Sequence, residues 1–358
     1  MKIFNLDCHV SVIADLKQIF ENLGNEVESW SISGHNWVFG KESKKVDIIN
    51  PSSWMSLDKD MCDRFYERYK DELSEYDAFL CTYPPSFSML YEKFNKPVIL
   101  HIPIRYEVPF HNDKTKWNKF NQYLRDGIDS GKIIPVANSE YDKRYFEFFV
   151  ERECELIPSL CEYTNTKWNP TIDKFLYSTR LPITIGTDNI ISKESLGRYE
   201  WSDISSYKGI IIIPYNCSTM SIFEYYNSNI PIFCPSKNFM KELYRHYNNF
   251  VLCELTWNKT FNINSGSVID CDKENDPNRY DNFDIMNRWI DYSDFYNEEW
   301  MPNIIYFDSF ESLSDKLNNT DLVEVSSKME EFNKIRKEKI YDKWLQKLNL
   351  INEKFSNR

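Results

Sequence analysis

The feature that most constrains this chain is an alternation, through its first half, of short β-rich apolar runs with longer stretches whose apolar residues recur at helical spacing. KIFNL (2–6) leads into a helical stretch from Ser11, with Val12, Ile13, Leu16, Ile19, Phe20 and Leu23 on one stripe and Gly24 placed as its C-cap. Further apolar runs follow at EVESW, VDIIN (46–50), DAFLC (77–81), PVILHI (97–102) and KIIPVAN (132–138), with helical patterns near 58–74, 114–129 and 140–152 between them. Strands joined by crossover helices make a parallel sheet, whose connections are right-handed and whose ligands sit beyond the carboxyl ends of the strands. The loops after Leu6, Cys81 and Ile102 are therefore where function is expected.

The pattern breaks at ECELIPSLCEYTNTKWNPTID (153–173), which is polar and holds two prolines, so a linker is expected near 158–172. It resumes with KFLYST (174–179), the almost purely apolar GIIIIP (209–214), NIPIFCP (229–235) and NIIYFD (303–308). An acidic, Asn-rich stretch at 256–303 reads as an excursion or lid, and residues from about 325 to 356 as one long charged helix. At roughly 150 residues per domain, 358 residues suggest two domains. The boundaries that follow are 1–165, 166–325 and a helix at 326–358. That helix carries Met329, Phe332, Ile335, Ile340, Trp344, Leu348 and Ile351 near helical spacing, which suits packing along a lobe or dimerisation.

Composition narrows the function. Apolar residues at 42% and aromatics at 16% supply a core and exclude wholesale disorder. The net charge of -12 repels a phosphate backbone at long range and argues against nucleic-acid binding, while a local pocket of helix amides and one or two Arg still suits a small phosphorylated ligand. Nine cysteines without a Cys-x-x-Cys pair read as buried thiols in a reducing compartment. No leader or membrane span is evident, and a soluble cytoplasmic protein is expected.

The most informative stretch is GIIIIPYNCSTMSIFEYYNSNIPIFCPS, from Gly209 to Ser236. A buried strand ends at Pro214, and a polar turn with Asn216, Cys217, Ser218 and Thr219 opens a helix whose free amides suit a diphosphate. Glu224 lies six residues after Ser218, roughly 9 Å further along the axis, within reach of a ribose. A capped core helix with Glu224 solvated on its outer face is the plain alternative. The stretch resembles the donor site of GT-B glycosyltransferases, in which a strand, a small polar loop and a helix bearing Glu precede a strand like NIPIFCP. In retaining members similar to the glycosyltransferase 4 group, two glutamates are separated by seven residues. The second matches Glu224 and implies ribose binding; the first falls on Asn216, so its role does not carry over. Glycine-rich loops are also missing, with nine glycines in the whole chain.

The resemblance implies two Rossmann-like lobes facing a cleft, a nucleotide-sugar donor held by the second, a carbohydrate or glycoconjugate hydroxyl acceptor held by the first, and no metal or other cofactor. It places Arg180, in LYSTRLP, on the diphosphate, with a surface ion pair as the alternative. His9, in LDCHVS, resembles the general base of inverting members, with Asp7 or Asp15 as orienter; a histidine capping the helix is the other reading. His101, Arg105 and Glu107, in PVILHIPIRYEVPF, form a second candidate catalytic cluster. His35 and Trp37, between glycines in SGHNWVFG, suit acceptor binding or an aromatic hairpin tip. The five histidines form no H-x-x-x-H pair, and no metal site is expected. The expected activity is sugar transfer with a lean toward retention. A nucleotide-sugar epimerase and a non-catalytic binding or assembly protein are the alternatives.

Overall fold

A computed structural model describes residues 1–42, 44–183, 188–269, 271 and 274–355. Contacts divide the chain into two units, one of Met1–Ser159 with the residues from Lys339 on, the other of Leu160–Glu338.

The first unit runs β1 (Lys2–Asp7), α1 (Val10–Asn22), β2 (Glu26–Ser31), α2 (Lys59–Leu73), β3 (Ala78–Cys81), β4 (Val98–Ile102), α3 (Lys114–Asp129), β5 (Ile133–Ala137), α4 (Glu140–Val150) and β6 (Glu155–Leu156). All six strands pair in parallel, in the order β2-β1-β3-β4-β5-β6. β3 and β4 are buried at every position, as central parallel strands covered on both faces must be. Asp58, Asp113 and Ser139 cap α2, α3 and α4 by accepting from the amide three residues on.

The run VDIIN does not form the expected strand. The Asp47 amide donates to the Tyr69 hydroxyl at 3.0 Å and the Asp47 carboxylate takes Arg68 Nε at 2.7 Å, so α2 holds this segment while Val46 and Ile49 bury their side chains. Gly24, with φ of 80°, follows a C-cap at Leu23, one residue from the expected cap.

The second unit runs β7 (Ile172–Ser178), β8 (Ile190–Ser192), α5 (Trp201–Ser205), β9 (Tyr207–Ile212), α6 (Met220–Asn227), β10 (Ile232–Pro235), α7 (Lys237–Tyr247), α8 (Trp257–Thr260), α9 (Phe283–Ile290), β11 (Ile305–Phe307) and α10 (Phe310–Asn319). Its five strands are again parallel, ordered β11-β10-β9-β7-β8. Gly209 lets β9 lie close to β10, since a Cβ there would come within 2.8 Å of the Pro231 carbonyl oxygen. Among the described residues of 256–303 lie the short helices α8 and α9 and a 3₁₀ turn at Asp294–Tyr296. The last helix, α11 (Leu322–Phe355), belongs to the second unit through Glu338 and to the first from Lys339 on.

Candidate functional site

In the second unit, β9 runs straight into a turn that is braced from outside. The Ile213 amide donates to the Ser178 carbonyl at 3.1 Å, continuing the pairing with β7 past the strand end. The carbonyls of Pro214, Tyr215 and Cys217 accept from the amides of Leu252, Cys253 and Asp294 at 3.1, 2.7 and 3.0 Å, and the Ser218 hydroxyl donates to the Asp294 carboxylate. Past Ile213, every one of these bonds uses an oxygen or a side chain of the turn. The amides of Asn216, Ser218, Thr219 and Ser221 find no acceptor among the described residues. Thr219 is the N-cap of α6 in extended conformation, and its side chain does not cap. The result is a rigid turn whose unused donors gather at the start of a helix, where the backbone dipole favours an anion.

Arg180 stands two residues past the end of β7, exposed, with its guanidinium carbon 3.7 Å from the Tyr215 ring centroid. A cation–π contact fixes it beside the turn without consuming its hydrogen-bond donors. Burial raises the Cys253 thiol, and the Arg180 charge pulls it partly back, which places that charge near the bracing loop as well.

Glu224 is half-buried, and it is not the solvated outer-face residue of the plain alternative. Its Oε1 accepts from the Tyr163 hydroxyl at 2.6 Å, and the Trp201 side chain is a second donor. Burial raises its pKa, with those two bonds opposing the shift. Two of about four acceptor positions are thus filled from the protein side. Tyr163 and Trp201, whose rings meet edge to face at 5.4 Å, were invisible as partners in the sequence because they lie in the linker and in α5. Asp294 was equally hidden, 76 residues from Ser218.

In the first unit, His9 is the N-cap of α1, yet its side chain makes no capping bond. The ring is half-buried beside Tyr83, with centroids 5.6 Å apart. Burial lowers its pKa, its own carbonyl opposes, and His35 lowers it further, so the imidazole is neutral near pH 7. Asp7 orients the turn: its Oδ1 accepts the His9 backbone N–H at 2.8 Å and the Ser31 hydroxyl at 3.0 Å, while Oδ2 is buried without a partner among the described residues. Burial pushes Asp7 up to about 8, against both hydrogen bonds. Asp15, the other candidate orienter, is buried in α1. His35 precedes a short 3₁₀ turn (Asn36–Phe39) in which Trp37 is 50% exposed. Asp7 and His9 thus stand at and just past the carboxyl end of β1, and His35 follows the carboxyl end of β2.

The second cluster is placed differently. His101 is fully buried in β4, its ring 6.2 Å from Trp344, with both ring nitrogens unpartnered among the described residues; burial pushes its pKa down to about 3. Arg105 and Glu107 form a buried ion pair through Nε and Nη2 at 2.8 and 2.5 Å, and the Tyr145 hydroxyl donates to the same carboxylate oxygen at 3.0 Å. Burial opposes the Arg105 charge most strongly, but Glu107, Tyr145 and Tyr141 together outweigh it and raise the pKa. These three are packed into the unit rather than presented to solvent. The apolar neighbours of His101 in VILHI are the sequence signal for that burial.

Among the described residues no group of three or more His, Cys, Asp or Glu is arranged to hold a metal, and no helix is long and apolar enough to cross a membrane. No family model and no curated protein matches the sequence. Solved structures do match. A glycosyltransferase from Rickettsia africae aligns over 98% of both chains with a TM-score of 0.52 at 12% identity. The glycotransferase of kitacinnamycin covers 94% of both chains with a TM-score of 0.44 at 9% identity, and the calicheamicin glycosyltransferase CalG4 covers 98% of both at 0.39 and 10%. The likeness to the first establishes the fold, which is α/β with two Rossmann-like units and a long C-terminal helix, the GT-B architecture.

Proposed function

We propose that the chain is a glycosyltransferase that moves a sugar from a nucleotide-sugar donor to a hydroxyl acceptor. The observation that carries this reading is the braced β9–α6 turn, whose amides at Asn216, Ser218, Thr219 and Ser221 have no acceptor among the described residues and whose Tyr215 ring holds Arg180. Those donors and the guanidinium would hold the diphosphate and take up the charge that develops as it leaves, so the roles need no cation. Cys217 contributes shape, and Glu224 would offer its remaining acceptor positions to the ribose hydroxyls. In the first unit, His9 would remove the proton of the acceptor hydroxyl, with His35 and Trp37 on the acceptor side. The acceptor oxygen forms its bond to the anomeric carbon, the bond from that carbon to the phosphate oxygen breaks, the electron pair leaves on the diphosphate, and the proton goes to His9. A neutral, half-buried imidazole supports a single displacement with inversion, against the lean toward retention that the Glu224 pattern gave.

The test is to incubate the full chain with UDP-, GDP-, CMP- and dTDP-sugars, with and without a panel of hydroxyl acceptors, and follow released nucleotide and the anomeric proton of the product. Acceptor-dependent release with one donor is expected, and it should fall about a hundredfold in His9→Ala. Conversion of donor without any acceptor would point to an epimerase and overturn the proposal.

A further inference from the structure

The segment that opens the second unit lies along α6, the helix that carries Glu224. The Cys161 carbonyl accepts from Asn227 Nδ2 at 3.1 Å, Lys167 Nζ donates to the Asn227 carbonyl at 2.8 Å, and the Trp168 amide donates to the Ser228 carbonyl at 2.7 Å. These three bonds tie the segment to the end of the helix through backbone carbonyls. Tyr163 does something else. It sits in a single 3₁₀ turn (Glu162–Thr164) between Cys161 and Asn165, whose φ values of 61° and 45° are left-handed conformations that a residue with a Cβ seldom adopts. That turn carries the Tyr163 hydroxyl to the Glu224 side chain, where it donates to Oε1 at 2.6 Å, the length of a hydroxyl bonded to an ionised carboxylate. Trp201 meets the Tyr163 ring edge to face at 5.4 Å and is a second donor to Glu224. A glutamate on a helix otherwise has its side-chain torsions to settle, and a carboxylate that must meet two neighbouring hydroxyls loses affinity for each torsion left free. Here the side chain is held from the protein side, while the half-buried carboxylate keeps its remaining acceptor positions.

We infer that Tyr163 is a positioning residue for the donor, holding the Glu224 carboxylate in the orientation in which it receives the ribose hydroxyls. This rests on the proposed transfer reaction, with Glu224 as its ribose contact. Tyr163 acts through Glu224 rather than on the substrate. The left-handed residues on either side of it fit that role, since the tight turn they close brings the hydroxyl within reach of the carboxylate.

The experiment sets one hydroxyl of the protein against one of the ligand. UDP, GDP, CDP and dTDP are titrated into the full chain by calorimetry, and the one that binds is compared with its analogues lacking the 2′ or the 3′ hydroxyl, or the 3′ hydroxyl alone for dTDP. Tyr163→Phe keeps the ring against Trp201 and the three bonds to the end of α6, so the variant folds. It should bind the parent nucleotide about tenfold more weakly, while the analogue without the hydroxyl that Glu224 receives should bind both proteins alike. In a Glu224→Ala background, where no carboxylate is left to orient, Tyr163→Phe should change affinity for the parent by less than about twofold. A purely structural role would weaken parent and analogues equally. That result, an unchanged affinity in Tyr163→Phe, a wild type indifferent to both ribose hydroxyls, or a full effect that persists in Glu224→Ala would each overturn the inference while leaving nucleotide binding in place. Binding of none of the four nucleotides would overturn the transfer reading, and the inference with it.

Discussion

Asp7 and His9 show how little of a site is written in residue identity alone. The pair stands out in the sequence as an acid and a base after the first strand, but whether either is charged depends on burial. With Asp7 pushed from 3.8 to about 8, the folded chain keeps between those values a proton that the unfolded chain has released. Stability therefore falls as pH rises from about 4 to 8 and levels off above. Asp7→Asn keeps the acceptor for the His9 amide and the Ser31 hydroxyl and removes that dependence, so denaturant titrations should show the variant more stable at pH 8 by about 1–3 kcal/mol and flatter between 4 and 8. For His9 the shift is downward from 6.5, so the neutral base persists below that pH. The acid limb of kcat/KM should lie below pH 6.5, and substitution of His9 should abolish it. Glu224 was legible as a carboxylate one helix into the second sheet, whereas its bonds to Tyr163 and Trp201 were not, since they join segments distant in sequence.

At the scale of elements, period and run length carried most of the sheet. The strands at Lys2, Ala78, Val98, Ile133 and Tyr207 lie on apolar runs, and the Gly209 gap explains why β9 and β10 can pair closely. Gly209→Ala should push a Cβ toward the Pro231 carbonyl oxygen and cost about 1–3 kcal/mol, seen as a lower thermal midpoint. VDIIN misled because its apolar residues look like a strand, while the partners of Asp47, Tyr69 and Arg68, are on α2. The short β8 and α5 escaped notice for the opposite reason, having too few apolar residues to leave a period. His101 illustrates the same limit: a histidine at a strand end reads as functional until the helix above it is placed. In α11, Trp344 is buried against Phe20 at 5.1 Å, and Trp344→Ala should destabilise by about 3–5 kcal/mol while also uncovering His101.

For the molecule as a whole, two parallel sheets with helices on both faces put the carboxyl ends of strands from each unit at the service of chemistry, and the residues argued to act lie there: His9 after β1, Arg180 after β7, Asn216 to Thr219 after β9. The formal charge of -12 makes the amides and Arg180 a local exception, which fits a small anion better than a polyanion. The turn past Pro214 holding a diphosphate is the claim on which donor, leaving group and reaction depend. Calorimetric titration of the full chain with UDP, GDP, CDP and dTDP tests it most directly. One nucleotide should bind, with affinity falling about tenfold or more in Arg180→Ala and in Glu224→Gln; binding of none of the four, or binding that both substitutions leave unchanged, would contradict it.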